Sequence, residues 1–163
     1  MLILGADLSL SSTGYALYDT EKKSIIKAFR VTTTPDMDIY ARILDIIDQP
    51  DCYADAMVFE EGYIGASGKT SIQLAMLRGA FVYASDRQPC YGLQSKEIRR
   101  ILTGSGSTNK EEMAGWIVKH YRSDIERLGI GAYSDKTGKH KTSDIYDAIA
   151  VALAYAKKME GKE

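Results

Sequence analysis

Three strand-like segments follow one another within residues 2–31, joined by links too short to cross a sheet. Residues 2–8 (LILGADL) form a short apolar run that closes on a polar edge, the pattern of a buried strand. Residues 14–19 and 24–31 (SIIKAFRV) supply two more strands, with SLSSTG (9–14) as one turn and Glu21-Lys22-Lys23 as the other. A parallel return needs a crossover of a dozen or more residues, so these three strands are expected to form an antiparallel meander.

The pattern changes after Pro35. Ile39, Ile43, Leu44 and Ile47 stand at helical spacing and predict an amphipathic helix over 37–48. Residues 56–60 (AMVFE) read as a central strand, again ending in a carboxylate. Gly62, Gly65 and Gly68 predict a mobile loop before a helix near 70–86, and residues 89–93 a fifth strand followed by a basic helix over 95–102 (SKEIRRIL). TGSGSTN (103–109) is a flexible link. Thr108 and Glu111 have the spacing of a capping box and open a helix to Leu128, with Met113, Trp116, Ile117, Tyr121, Ile125 and Leu128 on one face. A Gly- and Lys-rich loop (129–142) leads to a last helix from Ser143 to about Met159. The expected fold class is α/β: a five-stranded mixed sheet, three strands antiparallel and two parallel, with helices on both faces.

The chain has 163 residues, 45% hydrophobic and 26% charged, which suits one globular domain over 1–163. No apolar run approaches the ~18 residues that cross a bilayer. Cys52 and Cys90 lie far apart without metal-ligand spacing, and Met1 to Leu8 carries no basic leader. A reducing, cytoplasmic location and no membrane partner are therefore expected. The net charge of −1 hides an uneven distribution: residues 1–66 hold five Lys or Arg against eleven Asp or Glu, and residues 67–142 hold thirteen against seven. An acidic first part beside a basic middle suits metal ligands next to a polyanion-binding stretch, and is equally the unevenness of a solvated surface, so the motifs must decide.

Asp7 ends the first strand and Glu60 the fourth. If those strands are parallel neighbours joined by a right-handed crossover, both carboxylates emerge at one edge of the sheet. Asp144 and Asp147, three residues apart, share one face of the last helix. Four converging carboxylates would repel unless cations neutralised them, and oxygen-only ligands favour Mg²⁺ or Mn²⁺ over zinc. Singly, an Asp after a strand is most often a turn residue and an Asp at a helix start a cap. The spacing of the four positions is compatible with a metal site and with separate turn and cap residues.

These same segments resemble the RuvC-type Holliday-junction resolvases of the RNase H-like nuclease superfamily. ILGADLSLSSTGYAL (3–17) resembles the family's opening strand and turn. FEEGYIGASGKTSIQLAMLRGAF (59–81) is similar to its second carboxylate motif, with Glu60 as the Glu, Tyr63 as the aromatic three residues on, and Arg78-Gly79 in the helix. LTGSGSTNK (102–110) resembles its Gly-rich basic segment, and SDIYDAIAVALAYA (143–156) its paired-Asp helix. Two departures stand out. Leu8-Ser9 occupies the place where the family commonly has Pro-Gly, and the 129–142 loop differs from most bacterial members, which suggests a divergent, phage-encoded branch.

The resemblance implies an RNase H-like fold and a homodimeric, Mg²⁺-dependent endonuclease acting on four-way (Holliday) or other branched DNA. Asp7, Glu60, Asp144 and Asp147 would hold two Mg²⁺ ions, with Mn²⁺ able to substitute, and hydrolysis would leave a 5′-phosphate and a 3′-hydroxyl. Glu61 rivals Glu60. Strand alternation lets only one of them face the site, and the family's register favours Glu60.

Lys110, after the glycines and serines of 104–107 and in the first turn of a helix, suits a phosphate. Arg99 matches a basic position of the family, and Lys96 and Arg100 flank it. Lys136, Lys139, His140 and Lys141 form a second basic cluster before the final Asp pair. Tyr63 is placed to stack on an unpaired base, worth roughly 1–3 kcal/mol. The helix near 70–86 is apolar around much of its circumference, and in the family the corresponding helix lies in a dimer interface. A two-lobed ATPase would need at least twice this length. A nuclease acting on RNA or an RNA–DNA hybrid, and a non-catalytic binder of branched DNA, are the alternatives that share these residues.

Overall fold

The computed structural model describes residues 1–50, 53–61, 68–86, 88–136 and 141–161. Its sheet begins with the expected meander. β1 (Leu2–Asp7), β2 (Ser12–Asp19) and β3 (Ser24–Thr32) are antiparallel neighbours. Helix α1 (Ile39–Asp48) carries the chain to β4 (Ala56–Glu61), which lies parallel to β1, and α2 (Gly68–Ala84) carries it to β5 (Cys90–Gln94), parallel to β4. The described strands are ordered β3-β2-β1-β4-β5, so β1 sits at the centre. α3 (Ser95–Thr103), α4 (Lys110–Arg127) and α5 (Ser143–Glu160) complete the chain.

Alternation along the strands divides the apolar side chains between two cores. Ile3, Ala56, Val58 and Leu93 pack with Ile98, Met113, Ile117 and the alanine-rich face of α5. Leu4, Ala6, Met57 and Phe59 point the other way, into a cluster with Ile43 and Ile46 of α1 and Leu77 and Phe81 of α2. Helices therefore cover both faces, as the binary pattern predicts.

Two glycines set how closely α5 lies on the sheet. A Cβ on Gly5 would come within 2.4 Å of the Ala148 carbonyl oxygen and 2.7 Å of the Ala152 nitrogen. One on Gly14 would come within 1.9 Å of the Asp144 carbonyl oxygen. At Gly5 and Gly14, with alanine at 148 and 152 on the facing turns, the α5 backbone lies directly against β1 and β2.

The start of α4 differs from the sequence expectation. The capping box is formed by Asn109 and Glu112 rather than Thr108 and Glu111: the Asn109 side chain accepts from the Glu112 N–H at 2.9 Å, and Glu112 accepts from the Asn109 N–H at 3.0 Å. The Thr108 hydroxyl is occupied elsewhere, donating to the Ser105 carbonyl at 3.0 Å and lying 2.7 Å from the Thr103 hydroxyl. β2 also starts earlier than expected, at Ser12, because the turn is closed within Ser9–Thr13. There the Thr13 hydroxyl donates to the Ser9 carbonyl at 2.6 Å and accepts from the Ser9 N–H at 3.1 Å.

α4 is tied to β3 by one buried carboxylate. Asp124 accepts from the Ile25 N–H at 2.8 Å, the Ser24 hydroxyl at 2.9 Å and Arg127 at 3.0 Å. Burial works to raise its carboxyl, but the Ile25 N–H, Arg127 and Ser24 outweigh it and hold Asp124 below the ordinary aspartate range. A carboxyl depressed by folding contributes stability above its unfolded value and loses it as pH falls through the folded one. Asp124→Asn should therefore cost about 2 kcal/mol at neutral pH. In denaturant titrations at pH 7 and pH 3, the gap between variant and wild type should narrow in acid; a gap independent of pH would show that Asp124 acts through shape alone.

Candidate active site

β1 and β4 are in register with Ala6 opposite Phe59, so the next residues along both parallel strands, Asp7 and Glu60, stand side by side at the carboxyl edge. Ala6 and Phe59 face α1 and α2, which by alternation turns Asp7 and Glu60 toward α5. Glu61 lies on the opposite face, exposed, with its carboxylate over Gly92, where a Cβ would come within 2.3 Å of it. The first turns of α5 bring Asp144 and Asp147 to the same edge, both buried. The sheet and one helix thus gather four carboxylates from three distant parts of the chain.

The crowding is visible in the acidities of Asp7, Glu60 and Asp147. Asp7 is pushed up to about 8, first by burial and then by Asp147 and Glu60, with Asp144 adding and Lys110 opposing. Burial followed by Asp147 raises Glu60, against a hydrogen bond from Ser95 and the positive charges of Lys110 and Arg99. Asp147 is also raised by burial, with Asp144 adding and Lys110 and Arg99 opposing. For Lys110, burial disfavours the ammonium, yet Asp147, Asp7 and Glu60 prevail and raise it.

Cations of the protein already engage this edge. Lys110 is ion-paired with Asp147. Asp144 accepts from Lys141 Nζ at 2.7 Å and the Ser143 hydroxyl at 3.3 Å on one oxygen, and from the Ser12 hydroxyl on the other. Among the described residues, no three carboxylate, imidazole or thiol side chains are set to hold an ion together as they stand. The donor set nonetheless fits a hard divalent cation: it is all oxygen, and an aspartate held near 8 marks a cluster short of positive charge.

The basic residues separate by position. Arg99 and Lys110 line a small recess with Glu60, Ser95 and Asp147. Lys96 and Arg100 are exposed on α3 beside it, and Lys136 is exposed in the loop before α5. Tyr63, Lys139 and His140 lie outside the described residues. Composition gave no notice of Ser12 or Ser95 as partners of the carboxylates. The spacing of Lys141 three residues before Asp144 was the available sign of that ion pair.

The described architecture is an RNase H-like fold, shared with Thermus thermophilus RuvC in complex with Holliday junction substrate (TM-score 0.70, 20% identity, 99% of this chain and 96% of that one). It is shared also with the Fowlpox virus resolvase bound to its substrate Holliday junction DNA (TM-score 0.56, 15% identity, 98% and 99%). In sequence, the chain is 31% identical over 173 residues to the crossover junction endodeoxyribonuclease RuvC of Helicobacter acinonychis, covering 98% of this chain and 99% of that protein. The family model for crossover junction endodeoxyribonuclease RuvC matches residues 3–155, and the chain belongs to that family.

Proposed function

We propose that this protein is a homodimeric, metal-dependent endonuclease that resolves four-way DNA junctions and cuts related branched DNA. The observation that carries the reading is the register of β1 and β4, which sets Asp7 beside Glu60 and opposite Asp144 and Asp147 in a chain of the RuvC family. The Thermus relative solved with a Holliday junction substrate supports the choice of DNA.

Asp7, Glu60, Asp144 and Asp147 would hold two Mg²⁺ ions, or Mn²⁺ in their place. When bound, these ions supply charge neutralisation at the phosphate and Lewis acidity for its hydrolysis, which leaves 5′-phosphate and 3′-hydroxyl ends. Asp7, on the central strand between Glu60 and the α5 pair, is the carboxylate common to both halves of the site. Arg99 and Lys110 lie at the carboxylates and orient the phosphate that enters, while Lys96 and Arg100 meet the neighbouring backbone. Tyr63, three residues beyond Glu60, stacks on a base freed at the branch point.

The helix α2 supports a dimer. Leu77 and Phe81 face the core, whereas Ile72, Val82 and Tyr83 are 64%, 46% and 88% exposed. A second copy covering this face would present two carboxylate sites to two equivalent strands.

The test is incision of end-labelled synthetic four-way junctions, linear duplex and RNA–DNA hybrid in Mg²⁺, Ca²⁺ or chelator, with cuts mapped on every strand. The expected result is paired, symmetric nicks in the junction in Mg²⁺ alone. Preferential cutting of the hybrid would reassign the substrate, and junction binding without incision in Mg²⁺ would leave a non-catalytic binder.

A further inference from the structure

Asp144 is the most heavily engaged carboxylate of the site, with Ser12 on one oxygen and Lys141 and Ser143 on the other. The Asp144 side chain is 7% exposed and that of Lys141 28%. An ammonium and a divalent cation compete for the Asp144 oxygen that Lys141 holds, so a metal taking that oxygen displaces the lysine.

The main chain around Lys141 is built to let that happen without loss of structure. Arg30 of β3 donates to the Lys141 carbonyl at 2.8 Å. The Thr142 and Ser143 N–H groups both donate to the Ser134 carbonyl, at 2.9 and 3.0 Å, and the Thr142 hydroxyl donates to the Ala132 carbonyl at 2.8 Å. The backbone entering α5 is therefore pinned at several points, and only the flexible Lys141 stem has to turn.

We propose that Lys141 is a resident counter-ion for Asp144, holding the carboxylate in place without metal and displaced from it when a divalent cation binds. The lysine thereby stabilises the metal-free protein and weakens its affinity for the cation. This inference rests on the carboxylate site being a metal site, as proposed above. Displacement also releases a positive charge at the site's border as the cation enters, so the site's net charge rises by less than the full charge of the ion.

The experiment is a calorimetric titration of the intact protein with Mn²⁺, alongside thermal unfolding in chelator and in Mn²⁺, for wild type, Lys141→Met and Asp7→Asn. Lys141→Met should bind Mn²⁺ about fivefold more tightly than wild type, the equilibrium equivalent of one partly buried ion pair. It should also melt lower than wild type in chelator and gain more from Mn²⁺. If the methionine variant does not fold in chelator, Lys141→Gln keeps a donor for Asp144 without the charge and is expected to show the same tightening. Equal or weaker Mn²⁺ affinity in a folded Lys141 variant would overturn the displacement. Wild-type protein showing no Mn²⁺ binding that Asp7→Asn abolishes would overturn the metal site itself, and with it this inference.

Discussion

Replacing Asp7 by Asn should abolish strand incision while leaving junction binding intact or tighter. Asp7 is the carboxylate on which the others converge, flanked by Glu60 in the parallel register and faced by the α5 pair. The amide keeps the shape and loses the anionic ligand, so the single-turnover incision rate in Mg²⁺ should fall by at least on the order of 10²–10³. Binding, read by gel shift in chelator above pH 8, where the Asp7 carboxyl is ionised, should hold or improve because one negative charge facing phosphates is gone. Above pH 8 the variant should melt at or above wild type in chelator, since like-charge crowding of the ionised Asp7 with Asp147 and Glu60 is relieved. That pairing of a stable fold with lost chemistry separates a ligand from a structural residue. Near-normal cutting by the variant in Mg²⁺ would end the proposal that Asp7 serves the reaction.

The second large effect is expected at a residue that carries no charge of its own, Gly14, the sheet partner of Asp7. Gly14→Ala places a methyl where the Asp144 carbonyl oxygen already stands, 1.9 Å from the ideal Cβ position. That neighbour is backbone, so the first turn of α5 has to move away from β2. Overpacking of this kind costs about 1–3 kcal/mol in stability. The loss of incision should be larger than the loss of stability suggests, on the order of 10²-fold, because the shift carries Asp144 away from Asp7 and Glu60. Denaturant melts and incision rates measured together decide the matter. If stability drops while the folded fraction cuts at the wild-type rate, Asp144 does not need its present position.

Much of this was readable from the residues. LILGADL and AMVFE each close on a carboxylate, and a parallel crossover puts both ends at one edge of the sheet. Alternation and the family's register then assign Glu60 inward and Glu61 outward, which is where they lie. The position of the capping box was not decidable, because Glu111 and Glu112 are adjacent and both Thr108 and Asn109 are good caps. The choice depends on what the Thr108 hydroxyl touches, a contact with Thr103 and Ser105 that spacing does not reveal. The partner of Lys110 was hidden for a different reason. Lys110 looks like a phosphate ligand at a helix start, and its pairing with Asp147 spans thirty-seven positions of sequence. Gly5 and Gly14 read singly as a strand and a turn glycine, and their role appears only when Ala148, Ala152 and the Asp144 backbone arrive against them.

The seam of glycine and alanine between α5 and the central strands has a mechanical consequence. Longer side chains at such a contact act as a cushion, able to change rotamer and let two elements slide. Backbone resting on backbone has no such compliance. Asp144 and Asp147 therefore share the stiffness of β1 and β2, and in the proposed reaction the distortion needed to fit a branched duplex to the four carboxylates would fall on the nucleic acid rather than on them.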